Sequence, residues 1–432
     1  MLTFVGQRRG FCDGVARRDF LRIGTLALGG LTLADLLRAE GRAGQAATGK
    51  SVINIYLSGG PTHLDTFDLK PKAAKEFRGE FSPIATKVAG MEICELLPRL
   101  ASHGDKLAIV RSLTGVRDEH NPSQSDSGWS MNELKSQGGR PGLGAVMSKV
   151  LGPASETAAG TAPMAVDLTG WTKPGFLGQV HGAYRPDGAM RNLKLSGQMS
   201  EARFTERQEL LGSLDTLRRD VDRTGAIEAM DSFSQRAVNI ITSGRVAQAL
   251  DLKNEPAETL ERYGAKKNKD NERFILARRL IEAGVRNVSF SWGGWDTHSQ
   301  NFQAMRRQLP PLDIALSALI EDLEGRGRLD DTIILMSGEF GRTPRINGGA
   351  GRDHWPQASF FVLAGGGLTT GQVIGATSRN GERAIERPVH LQQVFATVYH
   401  QLGIDPDTTQ LVDPNGRPQY LVDQRQVISE LV

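Results

Sequence analysis

An aspartate and a histidine two residues apart, Asp296 and His298 in the segment Gly-Gly-Trp-Asp-Thr-His, are the pair in this sequence best suited to chemistry. In extended chain, alternate side chains share a face, so the two could hold one cation. Carboxylate with imidazole suits zinc, manganese or iron better than calcium. The alternative is an aspartate capping the next segment beside a surface histidine. Similar clusters recur: His63, Asp65 and Asp68; His120, Ser123, Ser125 and Asp126; Glu339 and Arg342; Asp353 and His354. Glu339 closes an apolar run, where an unpaired charge is costly, so it either pairs with Arg342 or ligates a cation. Arg342 could instead grip a phosphate or sulfate oxygen with its planar fork. His354 reads as a third ligand or as a loop histidine bonded to backbone, and Asp353 as a group that orients a histidine from outside. Asp65 shares the two-residue spacing with His63 and is preferred to Asp68. His103, His181, His390 and His400 lack such neighbours and read as structural.

These clusters need elements to carry them. Five apolar, β-rich runs are visible: Val52–Leu57, Leu107–Val110, Val288–Trp292, Thr332–Met336 and Phe360–Leu363. Near-continuous apolar runs suit parallel strands covered on both faces. Each cluster follows one of the first four runs, and open parallel sheets place ligands beyond the carboxyl ends of their strands. One rim would therefore gather Asp65, His120, Asp296, His298, Glu339 and His354. Amphipathic helices separate the runs. One has Leu312, Ala315, Leu316, Leu319, Ile320 and Leu323 on its stripe; others run from Phe274 to Ala283 and from His390 to Leu402, each followed by a glycine stop. Alternating strands and helices predict an α/β fold with a mostly parallel central sheet. Residues from about 185 to 270 are charged, helix-favouring and strand-free, and read as a helical insertion in one domain over 47–432.

Residues 1–46 read as a twin-arginine export signal. Arg17-Arg18 precedes Asp-Phe-Leu, an apolar stretch follows from Ile23 to Leu37, and small residues at Gly44 and Ala46 fit cleavage. The apolar stretch is too short to span a membrane, which takes about 20 residues. The expected location is periplasmic or extracellular, reached through the twin-arginine machinery. The formal charge of +3 is carried by that segment, which has seven basic and four acidic residues, leaving zero for the remainder. That balance excludes a dedicated nucleic-acid binder. Two cysteines exclude a disulfide scaffold and a cysteine-based zinc site, and only Cys94 would remain after cleavage. No Gly-x-Ser-x-Gly elbow, phosphate-binding loop, dinucleotide fingerprint or His-Glu-x-x-His occurs. Tryptophans 129, 292, 295 and 355 would suit a carbohydrate face, but such rings more often pack cores.

The phrases ARRDFLRIG, LSGGPTHLDTFDLKP, LARRLIEAGVRNVSFSWGGWDTH, GEFGRTPRIN, GRDHWP and LAGGG span nearly the whole mature chain. On them the sequence resembles the exported bacterial family of domain of unknown function 1501 (DUF1501). More distantly, LPPLDIALSALIEDLEGRGRLDDTIILMSGEFGRTP and VHLQQVFATVYHQLGIDP resemble segments of the alkaline phosphatase and sulfatase superfamily. The resemblance implies an alkaline-phosphatase-like α/β/α sandwich and metal-assisted hydrolysis of sulfate or phosphate esters, small or glycan-borne. It implies a divalent metal (zinc, manganese or calcium) with Asp296, His298 and His354 in one site. Glu339 stands where the enzymes carry an Asp-His pair, and Asp65 would replace the aspartate missing after the first strand. HNPSQSDSGW aligns with the sulfatase signature so that His120 falls at the nucleophile position. Ser123 or Ser125 would then attack, or His120 would ligate metal, with Arg342 steadying charge. A non-catalytic envelope or binding protein on the same fold is the alternative.

Overall fold

Alternation of buried faces builds the sheet. In the computed structural model, which describes residues 48–152, 162–186 and 244–432, all five predicted runs are strands. They are β1 (Ser51–Tyr56), β2 (Leu107–Thr114), β4 (Asn287–Ser291), β5 (Thr332–Ser337) and β6 (Ser359–Gly365). Three short strands complete the sheet: β3 (Ala165–Asp167), β7 (Gln372–Ile374) and β8 (Val389–His390). The order is β7-β2-β6-β5-β1-β4-β3, with β8 also paired to β2. β1 is central and parallel to both neighbours, Ile53 facing Val288 on one side and Ile334 on the other.

Along β1 the side chains divide between two cores. Ile53 and Ile55 pack with Leu312, Leu316 and Phe274; Val52 packs on the opposite face with Leu335, Val394 and Val398. The first core is closed by α3 (Glu272–Glu282) and α4 (Asn301–Gly325), the second by α2 (Leu143–Val150) and α5 (Leu391–Gln401). A short helix, α1 (Ser123–Ser127), follows β2. This is the α/β/α layering expected, with a helix over every predicted amphipathic stretch. Each strand is apolar on both sides because each side meets a helix layer.

One strand departs from expectation. β6 was expected to be parallel but is antiparallel to both β5 and β2. Its apolar run is as continuous as those of its neighbours because burial on both faces, rather than strand direction, sets that pattern. Of the predicted insertion, residues 244–271 carry the short helices Arg245–Leu250 and Ala257–Arg262. Glu255 ties this segment to α3 through Arg278 and through Arg279, the latter at 2.5 Å. Residues 187–243 and the expected export signal, 1–46, lie outside the described residues. Among the described residues no helix is long and apolar enough to cross a membrane.

Candidate metal centre

The carboxyl ends of β1, β2, β4 and β5 and the amino end of the reversed β6 share one rim. His120 lies in the loop after β2, Asp296 and His298 in the loop after β4, and His354 just before β6. Donor atoms of these four residues all lie within 4.8 Å of one another. His354 Nε2 is 2.9 Å from His120 Nε2 and 3.0 Å from His298 Nε2. Asp296 Oδ1 is 3.0 Å from His298 Nε2 and 3.3 Å from His354 Nε2, and its Oδ2 is 3.6 Å from His120 Nε2. Donors bonded at 2.0–2.1 Å around one tetrahedral ion sit roughly 3.3 Å apart, so the spacing fits a single cation.

The far side of each ring decides what the near side offers. His298 Nδ1 lies 2.7 Å from Asp353 Oδ1, His354 Nδ1 2.6 Å from Asp118 Oδ1, and His120 Nδ1 3.2 Å from Glu339 Oε1. A carboxylate only accepts, so each Nδ1 donates and Nε2 is the ring atom turned inward, where it can offer a lone pair to a cation. Three lone pairs and a carboxylate oxygen about 3 Å apart repel one another unless a cation lies between them. The arrangement is the carboxylate–histidine pairing by which proteins orient metal ligands, repeated on three rings. Burial, the largest single influence, opposes the charge on Asp296, but the Arg342 hydrogen bond (Nη2 at 2.5 Å) and charge, together with His298 and His354, outweigh it and hold the carboxyl below its usual range. The bond from His298 holds Asp353 low in the same way. Phe340 packs edge-on to His120 and tilted against His354, with centroids 5.2 and 4.4 Å away.

Local chain geometry sets these supports. Glu339 is buried and accepts from the backbone N–H of Gly59 at 2.9 and 3.0 Å and of Gly60 at 3.0 Å. Gly60 has a φ of +70°, and a Cβ there would meet the Phe340 ring at 2.4 Å, so the turn requires glycine. Burial first, then the Glu339 charge, pushes the Tyr56 phenol far up. Asn347 holds the loop behind His298: its Nδ2 donates to the His298 carbonyl at 2.9 Å, and its Oδ1 accepts from Gly349 and Gly351, each at 3.0 Å.

Several sequence candidates lie elsewhere. Asp65, expected as a ligand, is buried against Arg352 at 2.7 Å, with Thr62 and Asn301 each at 2.9 Å, so its charge is already matched away from the cluster. Glu339, expected as a ligand, grips backbone N–H groups and reaches the cluster only through His120. Ser123 donates to Asn121 Oδ1 at 2.5 Å rather than to any cluster member. Arg342, expected to meet substrate, is fully buried and spends its donors on the Gly59, Gly60 and Arg352 carbonyls and on Asp296. His120, expected at the nucleophile position or as a ligand, is among the four converging residues. Asp118 was not singled out, although Asp118-Glu119-His120 repeats the Asp-x-His spacing of Asp296 and His298.

A family model described as a protein of unknown function, DUF1501, matches residues 49–432. The chain belongs to the DUF1501 family. Every residue of the cluster and its carboxylate supports lies inside the DUF1501 match. No curated protein matches the sequence. Solved structures similar to this DUF1501 chain include the lipoteichoic acid synthase LtaP from Listeria monocytogenes. That match has 11% identity and a TM-score of 0.34, covering 83% of this chain and 73% of that one. The PsFucS1 sulfatase from Pseudoalteromonas sp. is similar at 11% identity and a TM-score of 0.37, covering 86% and 71%. At such low similarity neither protein's activity transfers to this one.

Proposed function

We propose that this DUF1501 protein is an exported metallohydrolase that cleaves sulfate or phosphate esters at the His120–Asp296–His298–His354 cluster. The observation that carries this reading is the convergence of three imidazole Nε2 atoms on Asp296, with every Nδ1 held by a carboxylate. A divalent cation bound there would act as a Lewis acid on the ester oxygen. The chain's own residues do the rest. Asp118, Asp353 and Glu339 keep the Nδ1 protons in place and the rings fixed. Arg342 fixes the Asp296 carboxylate and keeps it ionised. The Asp296 and His298 side chains are about half exposed, at 49% and 46%, so an ester can approach from solvent. With Ser123 bonded to Asn121 and turned to its own loop, water is the nucleophile in this reading.

The resemblance of the sequence phrases to the alkaline phosphatase and sulfatase superfamily supports the ester class, and the twin-arginine-like start supports export after folding. Metal analysis of the purified protein beside Asp296→Ala is the test. One zinc or manganese per chain is expected in the wild type, with aryl sulfate or aryl phosphate turnover that the variant loses. Wild-type protein free of stoichiometric metal after zinc or manganese supplementation would sink the proposal. Metal binding without ester turnover would instead favour a non-catalytic binding protein, a reading that the engagement of Arg342 and Ser123 elsewhere also supports.

A further inference from the structure

Charge counting at the cluster exposes a problem for an anionic substrate. Asp118, Asp296, Glu339 and Asp353 supply four negative charges, against the single guanidinium of Arg342. A divalent cation would still leave one negative charge, and Arg342 is fully buried with four of its five N–H donors already engaged. A sulfate or phosphate group arriving there needs positive charge from elsewhere.

The turn between the short strands Ala376–Thr377 and Ala384–Glu386 offers it. Ser378-Arg379-Asn380-Gly381-Glu382-Arg383 closes through Ser378 N to the Arg383 carbonyl at 2.9 Å and Gly381 N to the Ser378 carbonyl at 2.8 Å. Two side chains pin it to the metal-centre rim. Trp355, next in sequence to His354, donates its indole N–H to the Glu382 carbonyl at 2.7 Å. His63, fully buried in the loop after β1, lies with Nε2 2.9 Å from the Gly381 carbonyl. The turn is thus one indole's length from the residue beside a cluster histidine. Arg379 and Arg383 are both exposed on it, and neither guanidinium has a hydrogen bond or ion pair among the described residues. Two exposed guanidiniums four residues apart on an anchored turn, with only Glu382 as an acidic neighbour on that turn, offer planar forks that match the oxygens of an oxyanion.

We propose that Arg379 and Arg383 form an oxyanion subsite at the edge of the metal centre, taking a sulfate or phosphate group carried by the substrate. The subsite deepens the hydrolase reading and rests on it for its role, though its binding chemistry is independent of turnover. It offsets the surplus negative charge of the cluster and favours anionic over neutral esters.

The test is calorimetric titration of the full chain with inorganic sulfate and, separately, inorganic phosphate, with and without zinc. Wild-type protein is expected to bind one or both, more weakly as salt rises. The double variant Arg379→Ala/Arg383→Ala should lose affinity about tenfold or more at unchanged zinc content. Arg379→Lys/Arg383→Lys should keep part of it, since charge remains while the fork is lost. Which anion loses affinity identifies the group. Anion binding that is equal in wild type and Ala variant, or absent from the wild type, overturns the subsite. Absent turnover with intact, arginine-dependent anion binding would count against the hydrolase reading alone.

Discussion

At the scale of single residues, the cluster depends on carboxylates that lie outside the four converging donors. Asp118, Asp353 and Glu339 each fix one imidazole, and such outer partners typically contribute 10–100-fold in metal affinity. Asp353→Asn and Asp118→Asn should therefore each weaken zinc binding by roughly that factor with little loss of fold. Both loops are exposed, and competition with a chromophoric chelator would read the change. Equal affinity in wild type and both variants would show that the rings are held by something else. The Asp-x-His spacing made Asp296 and His298 legible in the sequence, and Asp353 beside His354 was legible as an orienting group. Glu339 was not correctly legible. A carboxylate at the end of a buried strand looks the same whether it binds a cation or two backbone N–H groups. What distinguishes the cases is the Gly59-Gly60 turn on another strand, which contact alone reveals. Asp65 fails for the same reason, because its partner Arg352 is far away in sequence.

At the scale of elements, loops and caps position the site. Asn347 staples the Gly-rich loop over residues 347–351 to His298. Asn347→Ala should leave the sheet intact while speeding amide exchange in that loop and loosening metal; an unchanged exchange pattern would refute the staple. Further along the rim, Asp126 in α1 lies against the amino end of α2, so close that a Cβ on Gly142 would meet its Oδ2 at 1.8 Å. Burial raises this carboxyl from 3.8 to about 7. The fold thus prefers the protonated form. Below about pH 4 Asp126 carries no penalty; between there and pH 7 stability is lost as pH rises, because the unfolded chain ionises first. Asp126→Asn should stabilise the protein at pH 8, by as much as about 4 kcal/mol, and change little at pH 4. Denaturant unfolding at both values checks it, and a gain that ignores pH would rule the account out. The helix layers and all five strand runs were legible because burial writes a strong period. The direction of β6 was not, because a strand covered on both faces carries no mark of which way it points.

At the scale of the whole molecule, the cluster joins chain that is distant in sequence, from residue 120 to residue 354. A ligand that binds only the folded form stabilises it in proportion to the logarithm of its excess over Kd. Added zinc should raise the melting temperature of the wild type by a few degrees and leave His298→Ala unmoved; equal melting of the two with and without zinc would dissociate the cluster from metal. The reversal of β6 bears on how the protein is made. β6 is synthesised after both of its neighbours, β2 and β5, yet it lies between them and brings His354 to the rim only by that insertion. Pairing across such long sequence separations is slow, since loop closure precedes any gain in contacts. His354 is therefore the last of the four donors to reach the rim, so an ion held by all four would be captured late in folding rather than seed it.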